Sequence, residues 1–562
     1  MRQLVILIFL VIFTFSLPAE TYKKVQIYFS DRTELREIMR SDLGIDHTEI
    51  QSDKSIIVYL GEREYRLLLA HGYRHKVLID DWQKYYRNRR KMTALEKQTQ
   101  LQKSADNYNV TEFDLGSMGG FYTFDEIVAE LDSMRAKYPN IISARDSIGH
   151  SIEDRPLWTV KISDNPDIDE DEPQVCFDAL IHAREGASMA TVMYFMYYLL
   201  ENYSSDSVVT YLVNNREIYF LPCLNPDGDD ETYRGTAALS EPESRYFAEF
   251  IRSKHIRTHI NYHTYSNIIL YPWRYIPDPT PDADKFFEYA RDMSRYNHYE
   301  YGGGDAIGYF SNGTQSDWMY GEQTEKNKIF SFVVEVGTSG GGFWPEENRI
   351  IPLAQANVGS NLYLCWLPGG FARISAHRLE QSIFLPGDSV RYDFTVCNGG
   401  LKSIDYIKVE IKSLSPFATI RNSSYNLSTL GTWEADTING NINISPDTPA
   451  GEEIVLIAKT FFRNMPMDID TVKFFVGYQT AIFTDSCNST NFLWDKSYTT
   501  ILNKWLYTSS DYHSPPMCFT DSKTGDYKSD MQSSLTLINP DRTGKTAFVL
   551  LSALTAVQPG RH

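Results

Sequence analysis

The sequence is short of basic residues and of paired cysteines, and each shortage excludes a class of function. Lysine and arginine number 54 against 73 aspartates and glutamates, giving a formal net charge of −19 over 562 residues. Surfaces that bind phosphate backbones need clustered cations, so nucleic acid is not an expected partner. The six cysteines form no C-x-x-C pair and are therefore poor zinc ligands. Cys176 and Cys223 lie in apolar strand-like segments and are predicted to be buried thiols, with a disulfide as the alternative.

The sequence also lacks a hydrophobic run long enough to span a membrane. The apolar run from Leu4 to Leu17 is shorter than the ~20 residues that cross a bilayer. It follows Arg2 and precedes Pro18-Ala19, so residues 1–19 are predicted to be a cleaved secretory signal peptide. No later stretch is a better candidate. We therefore expect a secreted, extracellular protein whose mature chain has no transmembrane segment.

The length of the chain indicates several domains, because 562 residues are expected to divide into about three or four domains, each with its own core. Residues 20–95 alternate short strands and helices and predict a small α+β unit of the pro-domain kind. Residues 96–112 are polar and predict a linker or an exposed helix that is open to proteolysis. From 113 to 368, strands and helices alternate as in a mixed sheet with helices on both faces.

After residue 368 the pattern changes to strands with a period of two. Apolar and polar residues alternate from Val390 to Val396 and from Ile407 to Ile411, so residues 369–478 are predicted to form an Ig-like β-sandwich. Residues 479–562 contain too few strands to close a sheet, which predicts a truncated β-rich domain. The predicted fold class is therefore α/β, preceded by an α+β unit and followed by β-sandwich domains.

The segment His182-Ala183-Arg184-Glu185 is the first candidate for chemistry. It stands where an apolar strand, Val175 to Ile181, gives way to a long apolar helix. Sites in α/β sheets form at the carboxyl ends of strands, and a histidine and a carboxylate three residues apart can both turn onto one cation. Taken alone this pattern is weak, because a surface histidine beside a helix-starting glutamate would have the same sequence.

A third ligand is offered by His255, His259 and His263, in a segment whose composition favours a strand. The spacing of four residues could also form one face of a helix. His263, at the end of the strand, is best placed to reach a cation. His259 would point to the same face at greater depth, and we predict that it is a packed core histidine.

Two further residues are candidates for catalysis. Tyr309 lies in a glycine-rich stretch that is predicted to be a loop, where a buried or surface tyrosine is the ordinary alternative. Glu335 lies in a nearly unbroken apolar strand, Ile329 to Val336. A carboxylate there is costly to bury unless it is paired, bound to a metal or poised for proton transfer, so Glu335 is a candidate general base. An acidic stretch, 164–172, is most simply a solvated loop, with a calcium site as the less favoured interpretation.

Between Phe121 and Trp366 the chain resembles the zinc metallocarboxypeptidases of the carboxypeptidase A/T type, particularly bacterial carboxypeptidase T. The motifs that carry the resemblance occur in order: HAREGAS (182–188), REIYFLPCLNPDG (216–228), ETYRGTAALSEPES (231–244), YHTYSNIILYP (262–272), Tyr309, Asp317-Trp318 and FVVEVG (332–337). The resemblance implies peptide or protein C-termini as substrates and one Zn²⁺ per chain, with three ligands: His182, Glu185 and His263. It also implies that Glu335 is the general base, that Arg184 lies near the scissile carbonyl, and that Tyr309 closes over the substrate.

The sequence departs from the family pattern at one place. In the family, a few dozen residues with a WRKNR-like and a DLNRN-like motif separate NPDG from ETYRG, whereas here only Asp229 and Asp230 stand between Gly228 and Glu231. The arginine that would stabilise the oxyanion has no counterpart. The Asn-Arg pair that would bind the substrate's terminal carboxylate has no counterpart either. The resemblance therefore includes an internal deletion. Arg184 and Arg234 are the candidates to replace these groups in part, but nothing in the sequence shows either of them reaching that position.

Two functions of different classes follow. The first is a secreted zinc metallocarboxypeptidase with a pro-domain and accessory β-domains. The second is a zinc-binding but catalytically impaired relative that acts as a binding or adhesion protein, with its β-domains contacting a cell surface or polysaccharide. The missing motifs favour the second function, whereas retention of Glu335 and Tyr309 favours the first. Ser316 stands where an acidic residue would favour basic side chains, so strict Lys or Arg specificity is not expected.

Overall fold

The computed structural model describes residues 21–43, 45, 49–51, 53–228, 235–304, 311–338, 340–381 and 383–477, and four short strands beyond them. The chain divides into two compact units. Unit 1 comprises the residues up to Ile269 together with 291–300 and 313–368. Unit 2 comprises 270–290, 301–312 and the residues from Gly369 onward. The predicted signal peptide, Arg234 and Tyr309 lie outside the described residues.

Unit 1 begins with a four-stranded antiparallel sheet. Its strands are β1 (Lys23–Tyr28), β2 (Glu49–Gln51), β3 (Ser55–Leu60) and β4 (His75–Ile79), in the order β2-β3-β1-β4. Helices α1 (Arg32–Arg40) and α2 (Glu62–His71) place Ile38 and Leu68 in the same apolar cluster as the inward residues of β1 and β3. The alternating strands and helices at 20–80 therefore form a small α+β unit with a core of its own.

Much of the segment predicted as a linker is helical. After α3 (Trp82–Arg87), helix α4 spans Ala94–Tyr108 and begins with a capping box. Thr93 Oγ1 accepts from the Glu96 backbone N–H at 3.2 Å, and the Glu96 carboxylate accepts from the Thr93 N–H at 2.8 Å. Ser104 is buried and lies 2.7 Å from the Tyr194 hydroxyl. The helix is thus packed against the remainder of unit 1 on one side.

A mixed sheet of eight strands positions the candidate site. The strands are β5 (Asp146–His150), β6 (Pro156–Ile162), β7 (Gln174–Asp178), β8 (Glu217–Leu221), β9 (Ile256–His263), β10 (Ile268–Leu270), β11 (Glu300–Gly302) and β12 (Phe330–Glu335). Their order is β11-β10-β12-β9-β7-β8-β6-β5. Strands β12, β9, β7 and β8 pair in parallel, whereas β6 pairs antiparallel with β8 and with β5. The parallel strands are buried almost throughout, and β7, β8 and β12 are mostly apolar, whereas β9 also buries polar side chains.

Helices connect these strands. They are α5 (Phe124–Lys137), α6 (Gly186–Asn202), α7 (Ser207–Val213), α8 (Pro242–Arg252), α9 (Ala283–Asn297), α10 (Gln315–Gly321), α11 (Glu347–Ala356) and α12 (Val358–Trp366). Helix α6 is apolar and buried on nearly all sides, and α8 starts with a proline, a residue favoured at the first helical position. The predicted α/β class with a mixed sheet is confirmed. Within the described part of the chain, no helix is both long and apolar enough to cross a membrane.

Unit 2 contains two further four-stranded sheets. Their strands are β13 (Ala372–Leu379), β14 (Ser389–Asn398), β15 (Ile407–Ser413), β16 (Ala418–Ile420), β17 (Ser424–Leu427), β18 (Ala435–Ile444), β19 (Glu453–Phe462) and β20 (Met465–Phe475). The orders are β13-β14-β18-β16 and β17-β15-β19-β20. Alternate residues of β14 and β15 are buried, as their period of two predicts.

Beyond these sheets the structure describes four short strands. They are β21 (Trp494–Tyr498), β22 (Leu506–Thr508), β23 (Cys518–Thr520) and β24 (Ser533–Leu537), which form the pairs β21-β24 and β22-β23. The remaining residues of the predicted domain at 479–562 lie outside the described residues. That this segment is a truncated β-rich domain stays a prediction.

An ion pair between a buried arginine and a half-buried glutamate joins α9 to β13 within unit 2. Arg373 Nη1 lies 2.6 Å from Glu288 Oε2, and the guanidinium carbon lies 5.5 Å from the ring centroid of Trp433. Removing one partner of a fully buried pair typically costs ~3–5 kcal/mol, and the cost is expected to be smaller here because the Glu288 side chain is 23% exposed. We expect Arg373→Met to lower the unfolding temperature of the full-length chain in calorimetry. Arg391→Met, which removes an exposed pair with Asp393, should change it little, and equal shifts would contradict the prediction.

Candidate functional site

Three side chains converge at the carboxyl ends of β7 and β9. His182, Glu185 and His263 each offer one donor atom, and these atoms lie within 4.8 Å of one another. His263 Nδ1 is 3.0 Å from Glu185 Oε2, and the ring centroids of the two histidines are 5.1 Å apart. Two imidazoles and one carboxylate are the ligand set of zinc sites that keep an open coordination position. The residues present therefore fit a zinc ion.

The turn between β7 and α6 places two of these donors side by side. Leu180 has a φ of +52°, so the chain reverses sharply directly after the strand. The Leu180 N–H donates to Ser188 Oγ at 3.3 Å, and the Ser188 hydroxyl donates to the Glu185 carbonyl at 2.6 Å. Glu185 is the N-cap of α6 and donates its own N–H to the His182 carbonyl at 3.0 Å. The turn thus fixes both residues at the start of a buried helix.

The pairing of β9 with β12 brings Glu335 to the same place. Glu335 and His263 are register partners at the carboxyl ends of two parallel strands, and the Val336 N–H donates to the His263 carbonyl at 2.8 Å. Glu335 is only 3% exposed. The backbone N–H of Thr264 donates to Glu185 Oε2 at 3.0 Å, which links the end of β9 to the other donors. An ionisable carboxyl group is therefore buried beside the three donor residues.

The side chain of Arg184, in the same turn as His182 and Glu185, lies over an aromatic ring. Its guanidinium carbon lies 4.0 Å from the ring centroid of Phe343, a cation–π distance. Phe343 is buried and contacts Tyr265 and Tyr59, with ring centroids 5.1 and 5.2 Å apart. Tyr59 belongs to β3, so the N-terminal sheet of unit 1 reaches the residue on which Arg184 stacks.

Behind His263 lies a row of polar side chains that sequence reasoning did not single out as functional. The His263 Nε2 is hydrogen-bonded to Asn261 Oδ1, and Asn261 Nδ2 donates to Asp178 Oδ1. Asp178 Oδ2 is 2.7 Å from His259 Nε2, and His259 Nδ1 is 2.8 Å from Ser331 Oγ. The prediction that His259 is a packed core residue is confirmed. A signal was present in the sequence, because Asp178 directly follows apolar residues of β7 and Asn261 lies two residues before His263.

The other residues that the sequence singled out are not among the three converging donors, or are not described. Ser316 is fully buried in α10, with its hydroxyl 3.4 Å from that of Thr314. Cys176 and Cys223 are buried and have no disulfide, as predicted, and burial raises the pKa of both thiols. The closing role of Tyr309 concerns a residue outside the described ranges and stays a prediction.

The acidic stretch is less solvated than predicted. Asp164, Glu170 and Glu172 are half-buried, with one carboxylate oxygen from each within 4.8 Å of the others. Burial, together with the neighbouring charges of Asp164 and Glu170, raises the pKa of Glu172 to about 7. A cluster of acidic side chains alone does not define a cation site, so we assign none here.

Comparison with known proteins identifies one family. The sequence model of the zinc carboxypeptidases matches residues 127–230 and 229–360. The match therefore divides at 229–230, the position at which the family's intervening motifs are missing from this sequence. Both stretches together contain all of the converging side chains described above.

Two relatives with similar sequences are carboxypeptidases by name. A zinc carboxypeptidase of Saccharothrix mutabilis subsp. capreolus is 28% identical over 297 residues, which are 42% of this chain and 67% of the relative. Carboxypeptidase A1 of Rattus norvegicus is 24% identical over 367 residues, which are 56% of this chain and 81% of the relative. Among solved structures, thrombin activatable fibrinolysis inhibitor matches with a TM-score of 0.47 and 20% identity, covering 61% of this chain and 98% of that one.

Proposed function

Residues 127–360 belong to the zinc carboxypeptidase family, of the carboxypeptidase A type, and on that premise we propose that the chain hydrolyses C-terminal peptide bonds with His182, Glu185 and His263 holding one Zn²⁺. The observation that carries the proposal is the convergence of these three donors within 4.8 Å of one another, beside the buried carboxyl group of Glu335. The apolar run at residues 4–17 supports secretion.

The proposal assigns the following roles to the remaining residues. A zinc ion bound there would act as a Lewis acid and lower the pKa of a water molecule toward ~7. Glu335 would take a proton from the attacking water molecule as the water oxygen adds to the terminal peptide carbonyl. The same carboxyl group then delivers the proton to the leaving amine as the carbon–nitrogen bond breaks. Arg184, fixed on the ring of Phe343, lies near the scissile carbonyl.

A second candidate function is favoured by one specific observation. The family match divides at 229–230, and only Asp229 and Asp230 stand where the oxyanion arginine and the carboxylate-binding Asn-Arg pair are expected. Losing one oxyanion donor typically lowers turnover by ~10²- to 10³-fold. The alternative is therefore a zinc-binding, catalytically impaired relative that acts as a binding or adhesion protein.

Metal analysis combined with a peptide assay tests the proposal on the purified full-length chain. We expect about one zinc ion per chain, together with slow, chelator-sensitive release of C-terminal residues from peptides. Zinc uptake without any release would support the binding protein. A chain that takes up no zinc would overturn both functions.

A further inference from the structure

We propose that Asn261 is a positioning residue that fixes the tautomer and orientation of His263, and that Asp178 and His259 hold Asn261 in place. This inference rests on the proposed zinc site, because it concerns how one of the three donors is prepared for the metal. Metal-binding histidines are commonly oriented by a partner on their second ring nitrogen, and that partner tunes the affinity. Here the partner is an amide rather than a carboxylate or a backbone carbonyl.

The sheet register places these residues next to one another. Asp178 of β7 is the register partner of Asn261 of β9, and Ser331 of β12 is the register partner of His259 of β9. Both contacts therefore run across neighbouring parallel strands and do not depend on a loop. Asp178, His259 and Ser331 are fully buried, and Asn261 is 1% exposed. Strand pairing within the sheet therefore sets the positions of these four residues.

The donors and acceptors of the row have one consistent direction. Asn261 Nδ2 donates to Asp178 Oδ1, so the amide oxygen Oδ1 of Asn261 is turned to His263, from which it accepts. The His263 Nε2 must then carry the proton, which leaves the Nδ1 lone pair facing Glu185 Oε2 at 3.0 Å. That is the tautomer a metal ligand needs if it binds through Nδ1.

Hydrogen bonds at the other end of the row hold the Asp178 carboxylate in place. The His259 Nε2 lies 2.7 Å from Asp178 Oδ2, and Gln315 Nε2 donates to the same oxygen at 2.6 Å. With its proton on Nε2, His259 accepts from the Ser331 hydroxyl through Nδ1 at 2.8 Å. Burying this many polar groups is costly unless each is hydrogen-bonded, and apolar residues could fill the same strands at lower cost. The row ends on one of the converging donors, which gives it a use beyond packing.

The affinity for zinc itself tests the inference. Asn261→Leu keeps the size of the side chain and removes both hydrogen bonds. We expect it to weaken zinc binding by ~10- to 100-fold in chelator competition on the full-length chain. Asn357→Leu is the matched control, because Asn357 is also fully buried and donates to Tyr299 Oη and the Leu353 carbonyl, at 3.3 and 2.9 Å. It should lower stability while leaving zinc affinity unchanged.

A charge-exchange variant separates positioning from general damage to the core. Asn261→Asp alone places two carboxylates in contact and should weaken zinc binding. The double variant Asp178→Asn/Asn261→Asp restores one carboxylate and one amide with their positions exchanged, and should recover most of the lost affinity. Equal zinc affinities for Asn261→Leu and Asn357→Leu, or no recovery in the double variant, would overturn the inference while the proposed function stands. A wild-type chain that binds no zinc would overturn both.

Discussion

Replacing Glu335 by glutamine is expected to reduce the release of C-terminal residues by ~10²- to 10⁴-fold, the usual contribution of a general acid–base group. Glutamine has nearly the same size and can still form hydrogen bonds, but it cannot take up a proton from water. Glu335 is 3% exposed and lies beside His263 in register, so the substitution should leave the packing of the strand end unchanged. Zinc content should also be unchanged, because Glu335 is not one of the three donors.

Two further variants make this result interpretable. His263→Ala should lose zinc and turnover together, since it removes a donor. Glu325→Gln replaces an exposed glutamate paired with Arg252 and should alter neither quantity. The measurements are metal content of the purified variants and C-terminal residue release over long incubations. Loss of zinc in Glu335→Gln, or turnover equal to that of the wild type, would contradict the assignment of Glu335 as the base.

The elements of the sheet could be read from the sequence because their signals are local. Nearly continuous apolar runs such as Phe330 to Val334 mark strands buried on both faces, and β14 reveals its inward face by its period of two. The same logic places His182 and His263 at strand ends, and the structure brings them together with Glu185. Their role as ligands remains a proposal.

The features that escaped prediction depend on contacts between distant parts of the chain. The row from Ser331 to His263 exists only because β7, β9 and β12 pair in one particular register, and the sequence of a single strand does not define its neighbour. The left-handed conformation of Leu180 was likewise hidden, since leucine carries no signal for a positive φ. The polar sequence around α4 suggested exposure, whereas tertiary contacts such as Ser104 with Tyr194 bury part of it.

The second large effect that we expect is a gain in turnover when the segment missing at residues 229–230 is inserted. Replacing Asp229-Asp230 with the stretch of an intact relative that carries the WRKNR-like and DLNRN-like motifs should raise turnover by ~10²- to 10³-fold through the oxyanion arginine alone. The junction is suited to an insertion because its ends are anchored. On one side, the Asp227 carboxylate accepts from Ser151 Oγ at 2.6 Å and from Arg155 Nη1 at 2.8 Å. On the other side, α8 begins at Pro242.

The substrate's own carboxylate distinguishes recovered chemistry from a general gain in stability. The Asn-Arg pair would add charge-assisted hydrogen bonds of roughly 1.5–3 kcal/mol each, so the insertion chain should prefer a peptide with a free C-terminus over its C-terminal amide by at least ~10-fold. The chain without the insertion has no such clamp in its sequence and should show little preference. An insertion with the motif arginines and asparagine replaced by alanine is the matched control. If that control hydrolyses peptides as fast as the intact insertion, the missing residues are not the cause of weak turnover. If the control remains slow and its zinc content is unchanged, the defect lies in substrate and oxyanion recognition rather than in the metal centre.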